Sequence, residues 1–229
     1  MDVVRNKKID SWNEWHSEYD DPDSELAGRM RGVQGAIRDV LDAAPPGPVT
    51  IVSICGGQGR DLVGALADHP RRDDVRVRMV ELDPANAAFA TRTAAEAGIE
   101  GFEVVNGDAG LSDAYAGLPP ADLVVVAGLY GHIDDDDQVR LIAFLRQILR
   151  PNGATVWTFF QRAKRRTAAL RQFFVDASFE EEVFEVLPGE EYQFTIAISR
   201  LRGPVEPFRA GETIFTFGSS HQPLDTGAS

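Results

Sequence analysis

Apolar and polar positions follow one another in blocks that predict alternating strands and helices through most of the chain. Short, nearly continuous apolar runs rich in β-branched residues are typical of strands buried on both faces. They predict strands over residues 49–54, 75–82, 102–105, 122–127, 154–160, 181–187 and 192–201. Amphipathic stretches between them predict helices over residues 60–67, 84–97, 135–149 and 164–177.

This alternation predicts an α/β fold with a seven-stranded, mostly parallel sheet and helices on both faces. The last two strands are joined by Pro188-Gly189-Glu190 and therefore indicate an antiparallel hairpin. In sheets of this kind, ligands bind beyond the carboxyl ends of the strands, near the point where the strand order reverses. We expect the functional site to lie just after the first four strands.

The two ends of the chain differ from the central α/β domain, which is predicted at residues 45–202. Residues 1–44 carry apolar side chains at helical spacing, interrupted by a turn signal at residues 20–24, and predict a helical cap. Residues 203–229 predict an extension in which residues 214–217 add a short strand and the tail from residue 219 is disordered.

A glycine-rich turn joins the first strand to the first helix of the α/β domain. It consists of Cys55, Gly56, Gly57, Gln58 and Gly59, with Asp61 following in the helix. Glycine lets a backbone turn tightly and approach a ligand closely, while amide groups at the helix start face that ligand. Many strand–helix turns use glycine for turning alone, so the loop by itself is a weak signal.

Carboxylates after the next two strands strengthen that signal. Glu81 precedes Leu82 at the end of the second strand, where a carboxylate can accept both hydroxyls of a ribose. Asp108 precedes Ala109 after the third strand, where a carboxylate and adjacent amides can meet the edge of an adenine. Because parallel strands end at one edge of the sheet, these groups predict an adenosine-containing ligand.

The loop departs from the dinucleotide fingerprint that an NAD-linked oxidoreductase would carry. That fingerprint has a third glycine three positions after Gly59, where this chain has Leu62. Asp61 at the helix start also disfavours a pyrophosphate. Both details favour an adenosine ligand without phosphates and oppose the oxidoreductase alternative.

With these motifs, the chain resembles class I S-adenosylmethionine-dependent methyltransferases over roughly residues 30–201. The matching segments are residues 53–59, Glu81-Leu82-Asp83-Pro84, Asn106-Gly107-Asp108-Ala109 and residues 122–130. The resemblance implies a Rossmann-like methyltransferase fold whose seventh strand runs antiparallel. It further implies S-adenosyl-L-methionine as cofactor and methyl transfer to a small-molecule acceptor. More narrowly, Trp15-His16-Ser17-Glu18-Tyr19-Asp20 is similar to an N-terminal segment of a bacterial subgroup of this family.

Two residues differ from the family pattern. Ser53 stands where the family usually has Asp or Glu, and Cys55 stands where it usually has glycine. The usual acid helps to hold the methionine ammonium, so we expect another group, such as the backbone carbonyl of Gly128, to compensate. Ser53 is also the best support for an alternative function, that of a methyltransferase-like binding protein without catalysis.

Candidate catalytic and covering residues have two interpretations each. His132 follows the fourth strand near where the donor methyl should point; it is either a general base for O-methylation or a loop residue at the start of the next helix. Tyr130 either lines the methyl channel or packs beneath it. Trp15, His16 and Tyr19 either form a lid over the cofactor cleft or belong to the core of a docked helix.

Two charged clusters remain. Arg162 belongs to a basic cluster after the fifth strand, which either attracts an anionic acceptor or forms a solvated helix face. The acidic run at residues 134–137 predicts no metal site, because consecutive helical residues point in different directions and acids at a helix start are stabilised by the helix dipole.

Composition narrows the classes of partner. The 229 residues carry 36 acids and 23 bases, a net charge of −13, which disfavours nucleic acid and anionic membrane surfaces as partners. A single cysteine leaves no disulfide framework, and no apolar run approaches the roughly 20 residues of a membrane span. The composition predicts a cytoplasmic protein, whereas the small-molecule acceptor is what the resemblance implies. Both a monomer and a homodimer are compatible with the sequence.

Overall fold

A computed structural model describes residues 18–160, 164–189 and 193–217, and its framework is one sheet of seven strands. The strands are β1 (Val49–Ile54), β2 (Val75–Glu81), β3 (Phe102–Asn106), β4 (Ala121–Val126), β5 (Leu149–Phe160), β6 (Phe179–Val186) and β7 (Phe194–Leu201). The helices are α1 (Glu25–Ala43), α2 (Arg60–Leu66), α3 (Pro84–Glu96), α4 (Asp135–Ile148) and α5 (Lys164–Asp176). None of these helices is long and apolar enough to cross a membrane.

The strand order places a crevice at the middle of the sheet. The order is β3-β2-β1-β4-β5-β7-β6. β1 pairs in parallel with both β2 and β4, whereas β7 runs antiparallel to β5 and β6. The prediction of a seven-stranded, mostly parallel sheet with an antiparallel last strand is therefore confirmed. Because the order reverses between β1 and β4, the carboxyl ends of these two strands define the topological switch point.

Each face of the sheet buries its own apolar cluster, since successive strand residues point to opposite faces. On one face, Ile51 of β1 packs in a cluster with Ile37 of α1 and Leu62 of α2, and α3 adds Ala90. On the other face, Val52 of β1 belongs to a cluster with Phe174 of α5 and the apolar side of α4. The sheet is thus covered on both faces, as the continuous apolar runs predict.

Helix starts follow the capping residues in the sequence. α1 begins after the predicted break, because the Ser24 hydroxyl accepts a hydrogen bond of 3.0 Å from the Ala27 N–H. α3 begins after Asp83, whose carboxylate accepts hydrogen bonds from the N–H groups of Ala85 and Asn86 at 2.7 and 3.2 Å. Asp83 directly follows Leu82 at the end of β2, so this cap also fixes the turn beside the site.

β5 begins at Leu149 rather than at residue 154 as predicted. Pro151-Asn152-Gly153, which predicts the end of a helix, lies inside this strand. The register with β4 shifts between Ala121 and Leu123, and Asn152 has a left-handed backbone with φ of 62°. An irregular stretch of strand therefore carries the turn residues that the sequence suggested would form a loop.

The C-terminal extension packs on the domain instead of adding a strand. The short strand predicted at residues 214–217 is replaced by an isolated bridge between Leu111 and Thr213. Ile214 and Phe215 are buried in the same cluster as α4. The Phe215 carbonyl lies so close to Gly110 that a Cβ there would come within 2.4 Å of its oxygen. The predicted disordered tail lies outside the described residues.

Candidate functional site

The glycine loop between β1 and α2 requires glycine for two separate reasons. Gly57 and Gly59 have left-handed backbones with φ of 57° and 66°. Gly56 is instead constrained by space, because a Cβ there would lie 2.2 Å from the Cγ of buried Met79. Cys55, where the family pattern has glycine, adopts φ of 53° and therefore bears backbone strain.

Cys55 has no role as a nucleophile in this arrangement. Burial raises the pKa of its thiol, and the negative charges of Glu81 and Asp108 raise it further. A thiol kept protonated is a poor nucleophile. The same electrostatic effects show that both predicted ligand-reading acids lie near the loop, so the three motifs converge on one crevice.

Glu81 lies at the end of β2 and holds the glycine loop. Its carboxylate accepts hydrogen bonds from the N–H groups of Gly57 at 2.8 Å and Asp83 at 2.9 Å. The side chain is 8% exposed, and burial raises the pKa of its carboxyl although both N–H groups oppose the rise. Leu82 beside it is 62% exposed, so an apolar side chain lies open at the same edge.

The end of β3 is tied to the end of β2. The Asn106 amide donates hydrogen bonds to the carbonyls of Glu81 at 2.9 Å and Leu82 at 2.8 Å. Beyond it, Asp108 is exposed and accepts a hydrogen bond of 2.8 Å from the Gly110 N–H. This turn fixes the backbone around buried Ala109, so the predicted adenine-reading segment has a defined shape.

The loop after β4 separates the two predicted catalytic residues. Gly128 has a left-handed backbone with φ of 81°, and its N–H donates to the Thr158 hydroxyl at 2.8 Å. Tyr130 is fully buried and packs edge-on against Trp157, so it takes the packing role of its two interpretations rather than lining an open channel. His132 is half-buried, and its backbone N–H donates to the Leu129 carbonyl at 2.8 Å.

A buried arginine that sequence reasoning missed lies beside this loop. Arg29 of α1 is 5% exposed, and a Cβ at Gly128 would lie 2.8 Å from its Nη1. Arg29 donates a hydrogen bond to the Tyr19 hydroxyl, so the predicted lid residue contacts the site. The signal was available in the sequence, because Arg29 occupies an apolar position of the helix, four residues before Val33.

Asp61 lies across the same crevice, in the first turn of α2. Burial raises the pKa of its carboxyl, and the nearby Arg29 guanidinium lowers it. Arg60 points toward the N-terminal segment instead and forms a salt bridge of 2.7 Å with Asp20. The Gln58 side chain accepts a hydrogen bond of 2.7 Å from Arg60, so it supports this outer contact.

The remaining predicted site residues lie outside this constellation. Trp15, His16 and Arg162 fall outside the described residues. In the acidic run, Asp134 accepts from the Asp137 N–H at 2.8 Å, and Asp137 accepts from the Thr216 N–H at 2.9 Å. In the described part of the chain, no group of three or more His, Cys, Asp or Glu side chains could hold a metal ion.

A family model described as "Putative methyltransferase" matches residues 30–162, more than half of the chain. The chain belongs to this methyltransferase family. The matched region contains the glycine loop, both acids and His132, and the resemblance to class I methyltransferases is thereby confirmed. The oxidoreductase alternative receives no support, and Leu62, at the position of the missing third glycine, is buried in the core of the methyltransferase. No curated protein matches the chain in sequence.

Solved structures similar to this methyltransferase share its fold at low identity. Magnesium protoporphyrin IX methyltransferase from Synechocystis PCC 6803, with bound S-adenosylmethionine, has a TM-score of 0.64 and 16% identity, covering 84% of this chain and 93% of that one. The 1,6-didemethyltoxoflavin-N1-methyltransferase from Burkholderia thailandensis, with bound S-adenosylhomocysteine, has a TM-score of 0.61 and 17% identity, covering 83% and 87%. An O-methyltransferase family protein from Burkholderia thailandensis has a TM-score of 0.58 and 16% identity, covering 77% and 57%.

Proposed function

We propose that this methyltransferase uses S-adenosyl-L-methionine to methylate a small molecule, at an oxygen atom, with His132 as general base. The observation that carries the proposal is the hydrogen bond from the Gly57 N–H to the Glu81 carboxylate at the switch point. It joins the loop and the acid that such a cofactor requires into one preformed surface. Two similar structures contain S-adenosylmethionine or S-adenosylhomocysteine, which supports the choice of ligand.

The residues at the switch point fit this cofactor. Glycine at position 56 keeps the loop backbone against the sheet, where a Cβ would clash with Met79. Glu81 would accept the ribose hydroxyls, Leu82 would cover one adenine face, and the Asp108–Ala109 turn would meet the adenine edge. When bound, the cofactor supplies a methyl group on a sulfonium.

The chain's own groups would align the acceptor, exclude water and accept a proton. His132 follows β4, beside Gly128, and a neutral imidazole in this position is suited to take the proton of an acceptor hydroxyl. Tyr130 would act as a positioning residue, because its ring supports this loop from the aromatic core. The proton would move from the acceptor hydroxyl to an imidazole nitrogen.

The N-terminal segment would act as the lid of this site. Its described end contacts α1 of the cap through Tyr19 on Arg29, and it contacts the domain through Asp20 on Arg60. Trp15 and His16 directly precede it in the sequence, and residues 1–44 would then form one cap over the domain at residues 45–202. A covering cap excludes water and so protects the transfer step.

We further expect a cytoplasmic enzyme. The basic cluster around Arg162 would attract an anionic acceptor. Both a monomer and a homodimer are compatible with this function. The alternative, a binding protein without catalysis, is favoured by one observation. Ser53 is 4% exposed and supplies no charge where the family pattern has an acid. The two functions differ in turnover and share cofactor binding.

An acceptor screen tests the proposal. The purified protein would be incubated with S-adenosyl-L-methionine and panels of hydroxylated, amino and carboxylated small molecules, with S-adenosylhomocysteine release as the readout. O-methylation with His132 as base predicts a large loss of turnover with unchanged cofactor affinity in His132→Asn. Turnover only on amines, or with His132→Asn as active as wild type, would contradict the histidine-base mechanism. Cofactor binding without turnover on any panel would support the binding protein.

A further inference from the structure

Arg29 is a cation built into the switch point of the sheet. Its guanidinium lies 5.7 Å from the centroid of the Tyr19 ring and 5.5 Å from that of Phe194 at the start of β7. Its Nη1 lies next to the Gly128 backbone after β4, where a Cβ would come within 2.8 Å of it. Gly128 also has a left-handed backbone, so glycine at this position lets the guanidinium approach the β4 loop closely.

Asp61 supplies the opposite charge on the other side of the crevice. It lies directly after the glycine loop, in the first turn of α2. Burial raises the pKa of the Asp61 carboxyl, and the positive charge of Arg29 lowers it. Among the described residues, no cation forms an ion pair with this carboxylate. The Asp61 carboxylate is half-buried, so a bound cation would offset the cost of its partial removal from water.

Ser53 explains why the second charge is needed. In the family pattern an acid at this position helps to hold the methionine ammonium. Here the Ser53 hydroxyl is buried against the loop, where a Cβ at Gly56 would come within 3.0 Å of it. A neutral hydroxyl cannot replace a carboxylate as partner for an ammonium group.

The two charges match a zwitterion. An α-amino acid presents a carboxylate and an ammonium on one carbon, and it therefore needs one cation and one anion close together. We propose that the Arg29 guanidinium binds the carboxylate of the donor's amino-acid end and that Asp61 binds its ammonium, in place of the acid missing at position 53. This inference rests on the proposed function, since it assigns one end of the same cofactor.

Tyr19 makes the N-terminal segment part of this arrangement. Its hydroxyl accepts a hydrogen bond from Arg29, which orients the planar guanidinium. The salt bridge between Asp20 and Arg60 then ties the same segment to the start of α2, one residue before Asp61. Tyr19 is therefore a positioning residue that acts through Arg29.

Three ligands separate the ends of the cofactor. S-adenosylhomocysteine carries both the carboxylate and the ammonium, and 5′-methylthioadenosine has neither group. Decarboxylated S-adenosylmethionine keeps the ammonium, lacks the carboxylate and carries an additional positive charge on its sulfonium. Binding of each would be measured by calorimetric titration of wild type, Arg29→Met, Asp61→Asn and the matched control Arg31→Met. Arg31 lies on the same helix, is exposed and donates a hydrogen bond to the Pro22 carbonyl, so its replacement makes the same chemical change away from the site.

The assignment predicts a distinct pattern. Arg29→Met should weaken S-adenosylhomocysteine binding at least about tenfold, the loss expected for a hydrogen-bonded charge, and should not weaken the other two ligands. Asp61→Asn should weaken S-adenosylhomocysteine and decarboxylated S-adenosylmethionine, but not 5′-methylthioadenosine. Arg31→Met should bind all three as wild type does. Retained binding of 5′-methylthioadenosine shows that each variant is folded.

Other binding results would contradict different parts of the proposal. Equal weakening of all three ligands in Arg29→Met would make Arg29 a structural residue and leave the cofactor itself standing. Unchanged S-adenosylhomocysteine binding in both site variants would also overturn the assignment. If wild type binds neither S-adenosylhomocysteine nor 5′-methylthioadenosine, the proposed function fails with it.

Discussion

The Glu81 carboxylate accepts a hydrogen bond of 2.8 Å from the Gly57 N–H, so the acid at the end of β2 fixes the loop that follows β1. The two strands are neighbours in the sheet, and the bond closes the turn between their carboxyl ends. This side chain thus shapes the loop, and under the proposed function it would also accept the ribose hydroxyls.

Replacing Glu81 with Gln should weaken S-adenosylhomocysteine binding at least about tenfold. The amide retains the shape of the side chain but loses the anionic oxygen, and hydrogen bonds to charged groups contribute about 1.5–3 kcal/mol. Glu103→Gln is the control, since Glu103 is exposed on β3 and pairs with Arg78 at 2.8 Å, away from the loop. Calorimetric titration of both variants makes the comparison, and an affinity in Glu81→Gln equal to that of Glu103→Gln would remove Glu81 from the binding site.

The same substitution should change how stability depends on pH. Burial raises the pKa of the Glu81 carboxyl above its ordinary value of 4.5, so the folded protein holds this proton more tightly than the unfolded chain does. Stability from this group is therefore fully present below pH 4.5 and is lost as pH rises through the folded-state pKa. The free energy of unfolding of wild type relative to Glu81→Gln, from urea titrations, should fall as pH rises from 4.5 to 7.5. A difference that grows with pH would mean that the native state stabilises the carboxylate instead.

Gly56→Ala should destabilise the fold by about 1–3 kcal/mol, because the new Cβ would lie 2.2 Å from the Met79 Cγ in a packed core. Gly35→Ala provides the contrast. A Cβ at position 35, in α1, meets nothing within 4 Å, so alanine should stabilise the helix by up to about 1 kcal/mol. Urea unfolding of the two variants should give changes in the free energy of unfolding of opposite sign. A Gly56→Ala variant as stable as wild type would mean that the loop relaxes away from Met79.

Asp137→Ala should destabilise the protein by about 2–3 kcal/mol, whereas Asp136→Ala should change it by less than about 0.5 kcal/mol. Both residues lie in the first turn of α4, where an acid interacts favourably with the helix dipole. Asp137, however, is 1% exposed and accepts hydrogen bonds from the N–H and hydroxyl of Thr216, while Asp136 is exposed. Unfolding midpoints in urea measure the difference. Similar values for the two variants would show that the C-terminal extension is not held through Asp137.

Most of the fold could be predicted because local signals and burial agree. β1 has the bounds that its apolar run predicts, and α1 begins after the Ser24 cap. Where local composition and strand pairing favour different structures, strand pairing in the sheet determines the result. Pro151-Asn152-Gly153 has the composition of a turn, yet pairing with β4 and β7 draws it into β5. The prediction of a strand in the C-terminal extension was wrong, because the packing of Phe215 beneath α4 depends on tertiary contacts that no local sequence pattern contains.

The candidate site likewise contains residues that local signals place and residues that only tertiary contacts place. Glu81 and the glycine loop could be predicted because each lies at a strand end, where topology alone brings residues together. Arg29 could not be found in this way, because its role depends on how α1 crosses the sheet and on the space that Gly128 leaves. Tyr130 has two interpretations from the sequence, and its full burial against Trp157 favours the packing role.

The central claim is that this protein binds the adenosyl cofactor of methyl transfer. Calorimetric titration of the purified wild-type protein with S-adenosylhomocysteine, and separately with NAD, tests it most directly. We expect saturable binding of S-adenosylhomocysteine at one site per chain and no heat from NAD. Binding of NAD alone, or of neither ligand, would contradict the account.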